Sequence, residues 1–163
     1  MSTILPIAQD GEPILRIQAA LVAEDEFNSA WLHGLADAMQ ATMLFKQGIG
    51  IAAPQIYVSK RVIIVASRPN QRYPDAPLMQ ETVMVNPVIL NASDAECDGE
   101  EGCLSIADTR GVVRRAVEVT VEYFTLTGIY QKQTFSGFPA RVIQHEIDHL
   151  NGILFTDYEI SKK

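Results

Sequence analysis

The sequence is poor in cysteine, in clustered basic residues and in long apolar runs. Of its 163 residues two are cysteine, and 13 basic residues stand against 20 acidic ones, which gives a formal net charge of −7. No run of Lys and Arg exceeds two residues, so the basic patch that grips nucleic acid is not expected. The longest apolar runs, such as 62–66, are too short to cross a bilayer. These shortages disfavour both a nucleic-acid-binding protein and a membrane protein.

The N-terminus lacks the basic start and the apolar stretch of a signal peptide, so we expect a cytoplasmic protein. In that reducing compartment a disulfide between Cys97 and Cys103 is not expected. At least one free thiol then requires another role, and metal ligation is a common one. Since 47% of the residues are apolar and no repeat or linker interrupts the chain, we expect one catalytic domain over 1–163.

Two helices are predicted. Apolar side chains recur at every fourth position from Phe27 through Trp31 to Met43, which predicts a helix over 25–46 that ends at Gly48. A second helix is predicted over 138–150.

Several short strands are predicted around these helices. Residues 116–124 alternate between apolar and polar, as is typical of an antiparallel strand with one solvated face. Thr127–Gly128 then forms a hairpin turn to a strand at 129–135. Further strands are predicted at 61–66 and at 82–90, the latter interrupted at Pro87. Two helices among several short strands indicate an α+β fold.

The strongest chemical signal is the run His145-Glu146-Ile147-Asp148-His149 on the second predicted helix. Residues four apart lie on one face of a helix, so both imidazoles can reach a single metal ion. Glu146 then stands beside that ion as a general base for a metal-activated water. A helix that merely carries two histidines is the alternative, and the motif alone does not decide between them.

A catalytic metal site of this kind needs a third protein ligand. In thermolysin-like peptidases that ligand lies on a later helix, but only 14 residues follow His149. In metzincins it is a histidine six positions after the second, where this sequence has Phe155. The best upstream candidate is Cys103, because a divalent ion stabilises a thiolate. A small core residue is the alternative for Cys103, and Cys97 is expected to have no role.

A glycine-rich segment, 48–55, follows the first predicted helix. Because its glycines follow a helix and do not open one, a dinucleotide site is disfavoured. Small residues permit close backbone approach to an extended ligand. At the end of the segment the Gln55 amide can donate to a developing oxyanion, and a glutamine in a turn after Pro54 is the alternative.

Three segments together resemble the signature motifs of the peptide deformylase family, in the family's order and with similar spacing. They are Gly-Ile-Gly-Ile-Ala-Ala-Pro-Gln at 48–55, Glu-Gly-Cys-Leu-Ser at 101–105 and Gln-His-Glu-Ile-Asp-His at 144–149. The resemblance implies an α+β fold with antiparallel sheets packed around a central metal-bearing helix. It also implies a metal-dependent hydrolase that removes the N-formyl group from the initiator methionine of nascent polypeptides and releases formate.

The resemblance further assigns roles to individual residues. The metal ligands would be Cys103, His145 and His149, with Fe²⁺ as the native ion and Zn²⁺, Ni²⁺ or Co²⁺ as possible occupants. Glu146 would be the general base, and the Gln55 side chain and the Leu104 backbone N–H would stabilise the oxyanion. The residues expected to contact the substrate are Ile49, Gly50, Gly102, Phe138 and Val142. Arg141 is expected at the pocket rim, and Asp148 is expected to pair with Arg115.

Departures from the family pattern leave the proposed catalytic residues intact. Ala107 and Arg114 replace prolines of many relatives, and the sequence ends at residue 163, where many bacterial relatives continue into a helix that helps dock on the ribosome. We therefore expect a monomer that acts on N-formyl-methionyl peptides, with at most transient ribosome contact and no nucleic-acid or membrane partner. A metal amidase for larger acyl groups and a non-catalytic binding homologue remain as alternatives.

Overall fold

The computed structural model describes residues 3–158 and 161–162. Its helices are α1 (Ala30–Phe45) and α2 (Phe138–Leu150). Its strands are β1 (Gly50–Ala52), β2 (Val62–Ser67), β3 (Met79–Ala92), β4 (Glu96–Cys103), β5 (Ile106–Ala116), β6 (Glu118–Phe124), β7 (Tyr130–Ser136) and β8 (Ser161–Lys162). Positions 1, 2, 159, 160 and 163 lie outside the described residues, and so does part of what was predicted for the C-terminal residues. Neither α1 nor α2 has the length and apolar character that a bilayer-spanning helix requires.

Two antiparallel sheets form the framework, one in the order β1-β2-β3-β6-β7 and one in the order β4-β5-β8. Successive side chains of a strand point to opposite faces, so Ile63 and Val65 of β2 join one apolar cluster while Val62 and Ile64 join another. The first cluster contains the core face of α2 and the second contains that of α1. The two helices therefore cover opposite faces of the five-stranded sheet, which confirms the predicted α+β fold.

Helix α1 is shorter than predicted because its N-cap lies inside the predicted range. The Ser29 side chain accepts a hydrogen bond from Leu32 N (3.1 Å), which satisfies a backbone donor of the first turn. The upstream acidic residues form a separate 3₁₀ turn, Glu24–Glu26. Trp31, predicted on the buried stripe, is 44% exposed, because the core face is centred one position later.

The end of α1 also differs from the prediction, since Gln47 and not Gly48 takes the left-handed conformation, with φ of 57°. The Gly48 N–H donates to Met43 O (2.9 Å) and closes the helix. Glycine at 48 serves packing instead: a Cβ there would lie 2.9 Å from the Leu104 side chain. The end of α1 is thereby packed close to the segment that carries Cys103.

Most predicted strands are confirmed to within two residues, but the sheets differ from the prediction at several places, and β1 and β8 were not predicted. The strand predicted at 82–90 spans Met79–Ala92 and passes Pro87 through a bulge at Asn86, whose φ is 51°. The β4–β5 hairpin was not predicted at all. Its first strand faces the site with polar residues, including Glu101, and therefore lacks the apolar alternation that identifies a strand.

Candidate metal centre and pocket

Helix α2 presents two histidines to the site because its ends and its core face fix its rotation. Gly137 precedes it with φ of 68°, a conformation that favours glycine. After the helix, Gly152 has φ of 74°, and a Cβ there would lie 2.7 Å from the Arg16 carbonyl oxygen. The face formed by Ile143 and Ile147 is buried in the core, so the neighbouring face carries the histidines toward β4.

The structure brings Cys103, His145 and His149 together although the cysteine is distant in sequence. One potential ligand atom from each lies within 4.8 Å of the others, and Cys103 Sγ is 3.3 Å from His149 Nε2. Burial alone would raise the pKa of the Cys103 thiol, but the nearby imidazoles of His149 and His145 lower that pKa well below its usual value. A thiolate and two imidazoles form a donor set that suits Zn²⁺, Fe²⁺ and related ions.

Glu101 orients one of these histidines, a role that sequence reasoning missed. Its Oε1 lies 2.9 Å from His145 Nδ1, which leaves His145 Nε2 for the metal side of the ring. Arg115 donates two hydrogen bonds to the same carboxylate, at 2.6 and 2.9 Å. Burial alone would raise the pKa of Glu101, but the hydrogen bonds from His145 and Arg115 lower it to about 2. The carboxylate is therefore ionised at neutral pH.

Arg141 and Asp148 complete this buried network. Arg141, expected at the pocket rim, does line the pocket but is only 6% exposed. Its guanidinium donates to Glu101 Oε2 (2.8 Å) and to the carbonyl of Val113 (2.7 Å). It also donates to the carbonyl of Cys97 (2.8 Å), so that residue is part of the framework through its backbone. Asp148 lies 2.9 Å from Arg115 Nη1, which confirms the expected pair.

Glu146 faces the site beside the histidines and is buried, with 5% of its surface exposed. Its Oε1 has no hydrogen-bond partner among the described residues. Burial raises the pKa of this carboxyl, because desolvation penalises the charged form. Glu146 lies against Gly50 of β1, so an edge strand of the large sheet forms the opposite wall.

Gln55 is held with its amide nitrogen toward Cys103. The backbone N–H of Ala52 donates to Gln55 Oε1 (2.9 Å), which fixes the orientation of the amide. Gln55 Nε2 then lies 3.1 Å from Ser105 Oγ and 3.7 Å from Cys103 Sγ. Leu104 follows Cys103 at the turn after β4 and lines the same pocket. Both expected oxyanion donors therefore belong to segments that border the thiol.

A pocket opens beside these groups. All five residues expected to contact the substrate line it: Ile49, Gly50, Gly102, Phe138 and Val142. Among the lining residues that sequence reasoning missed are Arg72 and Tyr73, because they lie in a loop without a recognisable motif. The Tyr73 hydroxyl accepts from Gly102 N (3.2 Å), and its ring packs 5.4 Å from that of Phe138.

Comparisons with known proteins agree with this geometry. The family model described as Polypeptide deformylase matches residues 4–163. A class I type b peptide deformylase from Acinetobacter baumannii, solved with Met-Ala-Ser bound, is similar with a TM-score of 0.94 and 62% identity, over 96% of this chain and 99% of that one. Peptide deformylase 2 of Nostoc sp. is 48% identical over 94% of this chain and 85% of its own length. A probable peptide deformylase from Synechococcus phage S-SSM7 is 38% identical, over 95% and 99% of the two chains, with a TM-score of 0.83.

Proposed function

The chain belongs to the polypeptide deformylase family, and from this premise we propose how its residues remove the N-formyl group from the initiator methionine of nascent polypeptides. The reaction is a metal-dependent hydrolysis that releases formate. One observation supports this assignment of residues above all. Potential ligand atoms of Cys103, His145 and His149 lie within 4.8 Å of one another, beside the buried carboxyl of Glu146.

Cys103, His145 and His149 hold the metal ion in this proposal. When bound, a divalent ion supplies Lewis acidity, which polarises the formyl carbonyl and lowers the pKa of water. We propose Fe²⁺ as the native ion, with Zn²⁺, Ni²⁺ or Co²⁺ able to replace it, since one thiolate and two imidazoles accept several divalent metals. Glu101 supports the site by fixing the ring of His145 through the contact at Nδ1.

Glu146 moves the proton. It accepts a proton from the water that attacks the formyl carbon and returns it to the leaving nitrogen as the C–N bond breaks, so the products are formate and a free amine. Its raised pKa supports this role, because a group that must hold a proton between two steps works best with a pKa nearer neutrality.

Gln55 and Leu104 stabilise the negative charge that develops on the former carbonyl oxygen. The Gln55 amide is already oriented by its contact with Ala52 N, so little reorganisation is needed when the charge appears. The Leu104 backbone N–H is proposed as the second donor, because Leu104 directly follows Cys103 in the chain and lines the same pocket.

The peptide is proposed to lie extended along Ile49 and Gly50 on one side and Gly102 on the other. Main-chain hydrogen bonds to a strand edge tolerate different side chains, as an enzyme acting on many nascent chains requires. The methionine side chain then enters the apolar part of the pocket, against Phe138 and Val142. The related Acinetobacter baumannii protein was solved with Met-Ala-Ser bound, which supports a methionyl peptide as the ligand.

The setting of the reaction is also proposed. Residues 1–163 act as one catalytic domain, since the family match extends over 4–163. The enzyme works as a monomer in the cytoplasm, where its nascent substrates are made, and contacts the ribosome at most transiently, with no nucleic-acid or membrane partner of its own.

Formate release tests the assignment. Protein loaded anaerobically with Fe²⁺ is expected to release formate from formyl-Met-Ala-Ser and to leave acetyl-Met-Ala-Ser intact. The Glu146→Gln variant keeps the ligands and is expected to bind metal while its kcat falls by about two to four orders of magnitude. Cleavage of the acetyl but not the formyl peptide would favour a different metal amidase. Absence of formate with a full metal site would overturn the proposed function.

A further inference from the structure

Arg72 carries a positive charge at the mouth of the pocket and has no ionic partner among residues 3–158 and 161–162. The neighbouring arginine, Arg110, is paired with Glu100 at 2.5 Å. None of the ion pairs among the described residues includes Arg72. Its side chain lines the catalytic pocket and both adjoining depressions of the surface. The rim of the pocket therefore has one guanidinium in excess of its paired charges.

The loop that carries Arg72 is held in place by hydrogen bonds. The Asn70 side chain accepts from the backbone N–H groups of Arg72 and Tyr73, both at 2.9 Å, and donates to the carbonyl of Gln47 (3.2 Å). Such an Asx turn fixes the local backbone. The guanidinium of Arg72 also lies 5.7 Å from the centre of the Tyr73 ring, within the range of a cation–π contact. The backbone at Arg72 is thus held in place, and its guanidinium lies beside an aromatic ring of the same loop.

The guanidinium lies next to the proposed path of the peptide. A Cβ added to Gly102 would lie 3.2 Å from Arg72 Nη2, and Gly102 directly precedes the proposed metal ligand Cys103. With the formyl group at the metal ligands and the methionine side chain in the apolar pocket, the residues after methionine must leave past this rim. Their side chains are the first groups that Arg72 can meet.

We propose that Arg72 is a specificity-determining residue that favours formyl-methionyl peptides with an acidic side chain at the second or third position. This inference rests on the proposed function and defines its substrate class more narrowly. A guanidinium matches a carboxylate in charge and in hydrogen-bonding geometry. The net charge of −7 repels acidic peptides at long range, so any preference for them has to arise from a local contact of this kind.

The test compares peptides that differ only in one charge. The C-terminally amidated substrates are formyl-Met-Ala-Glu and formyl-Met-Glu-Ala, each matched with its Gln counterpart. For the wild-type enzyme we expect kcat/KM for the better Glu peptide to exceed that of its Gln counterpart by about two- to fivefold, the range of a partly exposed ion pair. In Arg72→Gln this ratio is expected to fall to one, and in Arg72→Lys to be partly retained.

A matched control and a second pair of peptides define the outcomes. Arg114→Gln removes the same charge from an exposed pair with Asp98 on the hairpin, away from the pocket, and is expected to keep the wild-type ratio. A ratio that is unchanged in Arg72→Gln, or is already one in the wild type, overturns the inference. The second pair is formyl-Met-Ala-Ala with a free C-terminal carboxylate and the same peptide as its amide. If the enzyme prefers an acidic group only in this pair, Arg72 recognises the chain terminus and not an acidic side chain, and the inference is overturned. If no peptide yields formate, the proposed function itself fails.

Discussion

A Cβ atom on Gly50 would lie 2.5 Å from Oε2 of Glu146 and 3.0 Å from its Cδ and Cγ atoms. Real side chains do not approach so closely, so the carboxylate of the proposed general base occupies the space that a side chain at position 50 would need. One residue thus serves two purposes, because its backbone is proposed to bind the peptide while its missing side chain leaves room for Glu146.

Gly50→Ala is expected to displace the Glu146 carboxylate and to lower kcat by at least about tenfold. A displacement of a catalytic group by about 1 Å can lower the reaction rate roughly a hundredfold. The free energy of unfolding should fall by about 1–3 kcal/mol from overpacking. Steady-state kinetics and urea unfolding measure the two effects. The matched control is Gly34→Ala in α1, where nothing lies within 4 Å of the added Cβ. Wild-type kcat in Gly50→Ala would show that Glu146 does not need this space.

Gln55→Leu is expected to lower kcat by about two to three orders of magnitude, the usual cost of losing one oxyanion donor. The metal content should stay at the wild-type level, because Gln55 is not among the proposed ligands. The Ala52 N–H would lose its acceptor, so thermal unfolding must show that the variant is folded at the assay temperature. An unchanged kcat in a folded, metal-loaded variant would remove Gln55 from the mechanism.

Glu101→Gln should destabilise the protein strongly, because it leaves the buried guanidinium groups of Arg115 and Arg141 without their shared carboxylate. Breaking a buried pair costs about 3–5 kcal/mol. The matched control, Asp98→Asn, removes the partner of Arg114 from an exposed pair on the same hairpin and should have a much smaller effect on the free energy of unfolding, because solvent screens exposed pairs. Urea unfolding compares the two variants, and equal losses would contradict this account of the network.

The same Glu101→Gln variant should bind metal about 10- to 100-fold more weakly, as is common when a carboxylate partner of a ligating histidine is removed. Competition with a chromophoric chelator measures this affinity directly. Asp98→Asn, which has no contact with His145, is expected to retain the wild-type value. A fully retained affinity in Glu101→Gln would limit Glu101 to a role in stability.

The two cysteines should respond differently to the same substitution. Cys103→Ser is expected to lose tight metal binding and activity, because a serine hydroxyl is a poor ligand compared with a thiolate. Cys97→Ser changes an exposed side chain and should retain one metal ion per chain. Metal analysis after gel filtration checks both. Full metal occupancy in Cys103→Ser would require a different third ligand.

Sequence reasoning was accurate where one element carries the whole signal. The strand at 61–66 was recognised from its local run of Val and Ile. The helix at 138–150 was recognised from one continuous segment that carries the histidine motif. It failed for β4, whose residues from Asp98 to Glu101 are polar or glycine. That strand is specified by its pairing with β5 and by the buried arginines that neutralise Glu101, and neither is visible in a local pattern.

The sequence by itself determined the chemical character of the centre. The spacing of His145 and His149 sets two imidazoles on one helical face, and the segment Glu-Gly-Cys-Leu-Ser at 101–105 offered Cys103 as the candidate for the third ligand. Only the tertiary structure decided how that centre is held and what borders it. Glu101 reaches His145, Gly50 makes room for Glu146, and Arg72 comes to the rim of the pocket because sheet pairing and loop packing join segments far apart in the chain. Such contacts depend on long-range packing, which no local period in the sequence encodes.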